Sequence, residues 1–167
     1  PHIIRIFEVF SDEKHICLIT EYCEGGDVFG MIQKSPVFNE KIAARILKEV
    51  VNAVYYCHTQ GIVHRDIKSD NILFLYDSID SPVKLIDFGI SVKYDKNKKL
   101  TDKTGSVLYI APEVIKGSYD EKCDIWSCGV LLYMMLSGSP PFHGETRKEV
   151  LAMILKGAIS FKQNIWS

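Results

Sequence analysis

Two short polar strings hold most of the residue types in this chain that could do chemistry. The string HRDIKSDN contains Asp66, Lys68 and Asn71, and the later string DFG begins at Asp87. A carboxylate such as Asp66 can accept the proton of an attacking hydroxyl, and Lys68 can neutralise charge on a transferred phosphate. The carbonyl oxygen of Asn71 and the carboxylate of Asp87 suit Mg²⁺, which takes few protein ligands besides phosphate oxygens. The strings therefore predict a catalytic pair, Asp66 and Lys68, beside a metal-binding pair, Asn71 and Asp87.

The alternative is that the Asp and Asn residues of these strings only stabilise turns, as they commonly do. That alternative must also account for the string APE, which starts at Ala111 and completes an ordered series. A combination of motifs in the right order outweighs any single match. We therefore favour the catalytic interpretation.

Hydrophobic periodicity outlines the elements that must position these residues. Apolar runs over residues 3–10 and 16–22 predict a β-hairpin, and runs over 72–75 and 83–86 predict two short strands. Four helices are predicted, over residues 27–34, 40–60, 120–136 and 145–156, and Asn39 is placed to cap the second. Residues 87–113 show no period, and an irregular segment this long is usually functional.

Composition excludes several classes of protein. The 167 residues are 47% apolar, which suffices for a core, and a net charge of −1 gives no general attraction to nucleic acid. The longest apolar run, residues 130–136, is far shorter than the ~20 residues of a membrane span. Five cysteines without a Cys-x-x-Cys pair suit a reducing compartment, so we expect a cytoplasmic protein.

The ordered set HRD, DFG and APE resembles the eukaryotic protein kinases along the whole chain, and Lys68 resembles their serine/threonine branch. The resemblance implies an α+β, protein-kinase-like fold. Residues 1–22 would be a remnant of the small-lobe antiparallel sheet leading into the hinge. Residues 23–167 would be a mostly helical large lobe, truncated at its C-terminal end. It also implies transfer of the ATP γ-phosphate to Ser or Thr hydroxyls of protein substrates, with ATP and Mg²⁺ as cofactors.

The same resemblance implies a nucleotide site, to which Asn71 and Asp87 also belong. Thr20 would lie at the back of the adenine pocket, Glu21 and Cys23 would offer backbone groups to adenine, and Leu73 would form an apolar floor. A leucine in a strand is also simply a core residue. For Asp27 two readings stay open: contact with ribose or with a basic substrate side chain, or an N-cap of the helix that follows.

Further roles are implied for residues around the strings. His64 would be a core residue, and Asp124 would anchor the backbone of the catalytic loop (residues 64–71, the string HRDIKSDN) from a buried helix. Arg65 requires an anionic partner, and the position that is usually phosphorylated is Asp102, whose carboxylate could pair with Arg65 without phosphate. Ser106 would bridge Asp66 and Lys68 through its hydroxyl.

The strings YDEKCDIWS and LSGSPPF resemble the calcium/calmodulin-regulated kinases, in particular the calcium-dependent protein kinases of plants and protists. That implies a calcium-sensor segment outside this chain, since no EF-hand loop pattern occurs within it. Acidic residues near the catalytic loop, namely Glu24, Asp27 and Asp70, lead us to expect substrates with Arg or Lys before the target residue.

No glycine-rich phosphate loop and no lysine-bearing strand occurs ahead of these strings, and the chain begins at Pro1 rather than Met. We therefore expect a fragment of a longer polypeptide that is inactive in isolation, because positioning of the γ-phosphate carries most of this catalysis. The alternative function is a pseudokinase or scaffold module that keeps the fold without phosphoryl transfer.

Overall fold

The computed structural model of the chain describes residues 1–34, 39–161 and 166. Its described elements are short antiparallel strands, five α-helices and one 3₁₀ turn (Ser69–Asn71), which confirms the predicted α+β class. The strands are β1 (Ile6–Ser11), β2 (Ile16–Thr20), β3 (Ile62–Val63), β4 (Ile72–Phe74), β5 (Val83–Leu85) and β6 (Val92–Lys93). The helices are α1 (Val28–Lys34), α2 (Glu40–Thr59), α3 (Pro112–Lys116), α4 (Lys122–Ser137) and α5 (Arg147–Lys156). The division into lobes at residues 22 and 23 stays a prediction, and the second segment includes residues outside the described ranges.

Helices α2 and α4 form the centre of the core. The side chain of Asn39 accepts a hydrogen bond from the Lys41 backbone N–H at 2.8 Å, so the predicted cap of α2 is confirmed. One face of α2 then buries residues at helical spacing, among them Ile46, Val50 and Val54. Helix α4 is apolar on most sides and is correspondingly buried on more than one face. Among the described residues, no helix is both long enough and apolar enough to cross a membrane.

The predicted hairpin is confirmed, but it starts later than expected. Strands β1 and β2 pair antiparallel, and every residue of both strands is exposed. The segment before β1 pairs with β5 instead, where Ile4 N donates to Leu85 O at 3.0 Å and Leu85 N to His2 O at 2.8 Å. Ile3 packs against the main core there, and this burial accounts for the shorter hairpin.

Strands β4 and β5 pair antiparallel in a register that brings the two metal-binding candidates to one end of the hairpin. Ile72 pairs with Leu85, and one step further the Ile86 backbone N–H donates to the Asn71 carbonyl at 3.0 Å. Asn71 and Asp87 therefore leave the sheet side by side. The other edge of β4 holds the linker (residues 21–26), since Gly25 N donates to Phe74 O at 3.1 Å.

The segment predicted to be irregular contains two short elements. Strand β6 pairs with β3, and α3 begins at Pro112, which fits the first turn of a helix because its missing N–H is not needed there. Two helices start two residues later than predicted. Helix α5 begins after Thr146, whose hydroxyl accepts from Glu149 N at 3.3 Å and so caps the first turn.

Candidate active site

A buried carboxylate on α4 holds the backbone of the catalytic loop. Asp124 is 1% exposed, and its two oxygens accept hydrogen bonds from His64 N at 2.9 Å and Arg65 N at 2.8 Å. His58, at the end of α2, places Nε2 2.8 Å from the same carboxylate. A buried charge is costly unless it is hydrogen-bonded in this way. The predicted anchoring role of Asp124 is confirmed.

Two non-glycine residues of the site have left-handed backbone conformations. Arg65 has φ of 71° and Asp87 has φ of 61°. Such conformations cost on the order of 1–3 kcal/mol and persist where the surroundings impose them. The bond from Arg65 N to Asp124 imposes the first, and the Gly89 N–H, 3.1 Å from Asp87 Oδ1, closes a tight turn at the second.

His64 links the catalytic loop to the strand that precedes Asp87. Its Nε2 lies 3.1 Å from the Ile86 carbonyl and its Nδ1 lies 3.2 Å from the Asp66 backbone N–H. A carbonyl can only accept, so Nε2 carries the proton and Nδ1 accepts. Burial lowers the pKa of His64, which keeps the imidazole neutral and compatible with both bonds. Its ring packs edge-on against Phe88, with 4.7 Å between centroids, as expected for a core residue.

The Asp66 carboxylate is surrounded by donors. Ser106 Oγ donates to Oδ1 at 2.7 Å, and Lys68 Nζ lies 3.1 Å from Oδ2. Asn71 Nδ2 donates to the Asp66 carbonyl at 2.9 Å and to Oδ2 at 3.1 Å. Lys68 Nζ also donates to Ser106 Oγ at 3.3 Å, so the predicted Ser106 bridge is confirmed. The structure thus brings Asp66, Lys68 and Asn71 together.

These contacts set the charges of the site. Burial pushes the pKa of Asp66 upward, but the hydrogen bonds from Ser106 and Lys68 outweigh burial and hold it below its usual value. Burial opposes the charge on Lys68 too, and the adjacent Asp66 carboxylate more than compensates, so the pKa of Lys68 is raised. Near neutral pH Asp66 is therefore an ionised acceptor, and Lys68 is a cation beside it.

The metal-binding candidates present the right donor atoms. Because the Nδ2 group of Asn71 bonds to Asp66, its carbonyl oxygen is the atom left to bind a cation. Asp87 is exposed, and its carboxylate carries one hydrogen bond from Gly89. An amide oxygen and a carboxylate, both at the same end of the β4–β5 hairpin, fit the oxygen preference of Mg²⁺.

A cleft of about 680 Å³ lies next to these residues. It extends from Asp87 and Phe88 to β2 and the linker, and its lining is mostly apolar. Five of the seven predicted nucleotide-binding residues line this cleft, namely Thr20, Glu21, Cys23, Leu73 and Asp87, whereas Asn71 and Asp27 are absent from its lining. A nucleotide site requires an apolar surface for a flat base and oxygen ligands near the phosphates for a metal ion. A mostly apolar cleft that ends at the Asp87 carboxylate has this chemistry.

The linker residues differ in how much of their backbone is already used. Glu21 N donates to Arg5 O at 2.9 Å, and the Glu21 carbonyl accepts from Thr20 Oγ1 at 3.1 Å. Within the described residues, no hydrogen bond occupies the backbone N–H or C=O of Cys23. Cys23 therefore has both backbone groups available for an adenine edge, whereas at Glu21 the N–H is engaged and the carbonyl has one acceptor position left.

Asp27 caps the helix that follows it. Its Oδ1 accepts from the Gly30 N–H at 2.6 Å, at the start of α1, which confirms the capping alternative. Asp27 also forms an isolated antiparallel bridge with Leu73, which lines the cleft, but Asp27 itself is absent from the lining. A role in binding ribose or a basic side chain stays a prediction.

The sequence analysis did not identify three residues that position the site. Tyr109, which is buried, shares a 2.9 Å hydrogen bond with Ser69 Oγ and ties the loop after Ser106 to the catalytic loop. His58 supports Asp124, and Tyr119 lies 3.3 Å from Arg65 Nη1. The predicted pairing of Arg65 with Asp102 is present at 3.2 Å. In a sequence, such a role is indicated only by a residue that combines an apolar ring with a polar group, such as tyrosine or histidine, close to a motif.

Comparison with known proteins agrees with this geometry. A family model described as protein kinase domain matches residues 1–166. Calcium-dependent protein kinase 5 of Plasmodium falciparum (isolate 3D7) is 42% identical over 167 residues, which cover 100% of this chain and 29% of that protein. Calcium-dependent protein kinase 29 of Arabidopsis thaliana is 42% identical over 166 residues, which cover 99% of this chain and 31% of that protein. The chain thus spans less than a third of the length of each of these relatives.

Removal of the Ser106 hydroxyl is expected to raise the pKa of Asp66. In Ser106→Ala one donor to the carboxylate is lost, so its ionised form is less favoured and protonation occurs at higher pH than in the wild type. NMR titration of ¹³C-labelled Asp carboxyl groups measures this shift directly. Ser78→Ala, in the exposed turn between β4 and β5, serves as the matched control and should leave Asp66 unchanged. An unaltered Asp66 titration in Ser106→Ala would contradict the assignment.

Proposed function

This chain belongs to the protein kinase domain family, and from that premise we propose that it carries the phosphoryl-transfer site of a serine/threonine protein kinase. The observation that carries the proposal is the state of Asp66. Its carboxylate is held between the Ser106 hydroxyl, the Lys68 ammonium and the Asn71 amide. A base fixed in this way, bonded to one metal-binding candidate, Asn71, while the other, Asp87, lines the cleft, suits transfer of phosphate to a hydroxyl.

The residues divide the work of the reaction among them. When bound, Mg-ATP supplies the phosphoryl group, and Asn71 and Asp87 would hold the metal through their oxygens. Asp66 orients the hydroxyl of the acceptor and takes its proton as the new oxygen–phosphorus bond forms and the bond to the nucleotide breaks. Lys68 stabilises the negative charge that develops on the transferred group. Cys23 and Leu73 would align the adenine ring of the nucleotide, Cys23 through its backbone and Leu73 through apolar contact.

Replacement of the base tests the proposal. Asp66→Asn in the full-length protein keeps the size of the side chain but cannot take a proton, so kcat for a Ser peptide with Mg-ATP should fall by about 10²–10⁴. The assay follows transfer of labelled phosphate and compares peptides with Ser, Thr or Tyr as acceptor. Asp77→Asn, an exposed Asp in the turn after β4, is the control and should retain full activity.

Two results would count against the proposal. A wild-type protein that binds Mg-ATP and transfers no phosphate would make this chain a pseudokinase or scaffold module. Transfer to Tyr peptides in preference to Ser and Thr would overturn the serine/threonine assignment.

We further propose that the substrates carry Arg or Lys before the target residue. Asp70, in the same string as Asp66, and Glu24, in the linker, are exposed acidic residues, and Asp27 pairs with Leu73 on β4. A peptide array in which each upstream Arg is replaced by Ala should show at least a severalfold loss of phosphorylation, because two or three carboxylates attract the cation together. In Asp70→Asn the preference should weaken, with Asp77→Asn again as control. Equal phosphorylation of the Arg and Ala peptides would refute the preference.

The full-length protein, we propose, responds to calcium through a segment outside this chain. The support is that the relatives described above are calcium-dependent protein kinases. Peptide phosphorylation should therefore rise at least severalfold when excess Ca²⁺ replaces a chelator, since binding of a ligand can shift a two-state equilibrium. The same rate with and without Ca²⁺ would exclude this mode of control. Parallel assays with Mg²⁺ held constant separate a calcium effect from the metal requirement of the reaction itself.

A further inference from the structure

The segment that carries Asp102 is fastened to the turn between α3 and α4. We refer to residues 99–105 as the docked segment. Leu100 and Tyr119 exchange two backbone hydrogen bonds, with N–O distances of 2.9 and 3.1 Å. Lys99 Nζ lies 2.6 Å from the Asp120 carboxylate. The Tyr119 hydroxyl donates to the Asp102 carbonyl at 2.8 Å.

The same hydroxyl reaches the catalytic loop. Arg65 Nη1 donates to the Tyr119 oxygen at 3.3 Å, so one phenol group accepts from the guanidinium and donates to the docked segment. Tyr119 is 1% exposed. Burial raises the pKa of Tyr119 more than the nearby Arg65 lowers it, so the hydroxyl keeps its proton at neutral pH. It is therefore a permanent donor.

The ion pair between Arg65 and Asp102 is a weaker link than this hydroxyl. The Asp102 side chain is 73% exposed, whereas that of Arg65 is 10% exposed. An ion pair in which one partner is exposed to solvent contributes little to stability, and salt screens it. A hydrogen bond from a buried hydroxyl to a backbone carbonyl is insensitive to salt and does not depend on the charge at residue 102.

We propose that Tyr119 is a positioning residue that holds Arg65 and the docked segment in fixed relative positions. The segment then stays ordered without a phosphorylated side chain. Asp102 adds to this link through its charge but does not create it. The consequence for turnover rests on the proposed kinase function. The link itself does not, because it can be observed in the absence of any reaction.

Both ends of the linkage lead to the catalytic base. Arg65 directly precedes Asp66 in the chain, and the docked segment ends next to Ser106, whose backbone N–H and hydroxyl both donate to Asp66 Oδ1. Gly105 makes the approach possible, since a Cβ at this residue would lie 2.8 Å from the Arg65 carbonyl. Loss of the link should therefore disturb Asp66 rather than the nucleotide cleft.

Hydrogen exchange in the full-length protein tests the link without any phosphoryl transfer. In Tyr119→Phe the ring stays and the hydroxyl goes, so backbone amides of the docked segment, above all Leu100, should exchange at least severalfold faster. Tyr133→Phe is the matched control: it removes the hydroxyl of another buried tyrosine, which bonds to the Ser160 carbonyl at 2.9 Å. Unchanged exchange of the docked segment in Tyr119→Phe would overturn the proposal, whether or not the protein proves to be a kinase.

Kinetics distinguish positioning from a general structural role. We expect kcat of Tyr119→Phe to fall about tenfold, the size of effect that loss of a buried hydrogen bond can produce, while KM for ATP stays unchanged.

The salt dependence of kcat separates the two parts of the link. In Tyr119→Phe the exposed ion pair between Arg65 and Asp102 carries more of the link, so kcat of this variant should decrease as ionic strength increases. Asp102→Asn introduced into Tyr119→Phe should remove that salt dependence. Asp102→Ala alone should lower kcat less than Tyr119→Phe, and phosphatase treatment should leave the wild type unaffected. A kcat equal to that of the wild type, or a rise in KM for ATP of the same size as the fall in kcat, would contradict the inference.

Discussion

The carboxylate of Asp124 is the constraint on which the site depends. It is buried within a strongly apolar helix, where an unpaired charge would be strongly destabilising. Two backbone N–H groups of the catalytic loop, with His58 beside them, satisfy it. The requirement works in both directions. The helix needs donors for its charge, and the loop obtains the fixed hydrogen bonds that hold Arg65 in a left-handed conformation. That turn sends the Arg65 side chain toward Tyr119 and leaves Asp66 to face Ser106 and Lys68.

Charge around Asp66 is arranged so that each group has one role. Lys68 and Ser106 keep Asp66 ionised, and burial keeps His64 neutral, so that His64 can accept from the Asp66 backbone and donate to Ile86. A protonated His64 could not accept that hydrogen bond. The neutral imidazole also joins the catalytic loop to the strand before Asp87. The base and the metal-binding end of the cleft are thereby held by one continuous set of hydrogen bonds.

Helix α2 and the hairpin show how far local patterns reach. The Asn39 cap and the apolar spacing along α2 come from neighbouring residues, and the structure reproduces both within a residue. The hairpin was correct in kind but not in extent, because Ile3 and Ile4 pair with β5, more than 80 positions along the chain. A run of β-branched residues indicates a strand but does not say which strand it joins. The start of α5 moved for a related reason, since its cap depends on the Thr146 side chain reaching the Glu149 N–H.

The sequence by itself determined the chemistry of the site, because residue types and their order within short strings decide which groups can accept a proton or bind a metal. It also implied that Asp124 anchors the loop and that Ser106 bridges Asp66 and Lys68, since both follow from family resemblance. Only the tertiary structure decided that Cys23, rather than Glu21, keeps both backbone groups available, and that Asp27 caps α1. It alone revealed that the Tyr119 hydroxyl contacts Arg65 and the Asp102 carbonyl at once. These outcomes depend on distances between residues far apart in the chain, and such distances are fixed by packing rather than by any local pattern.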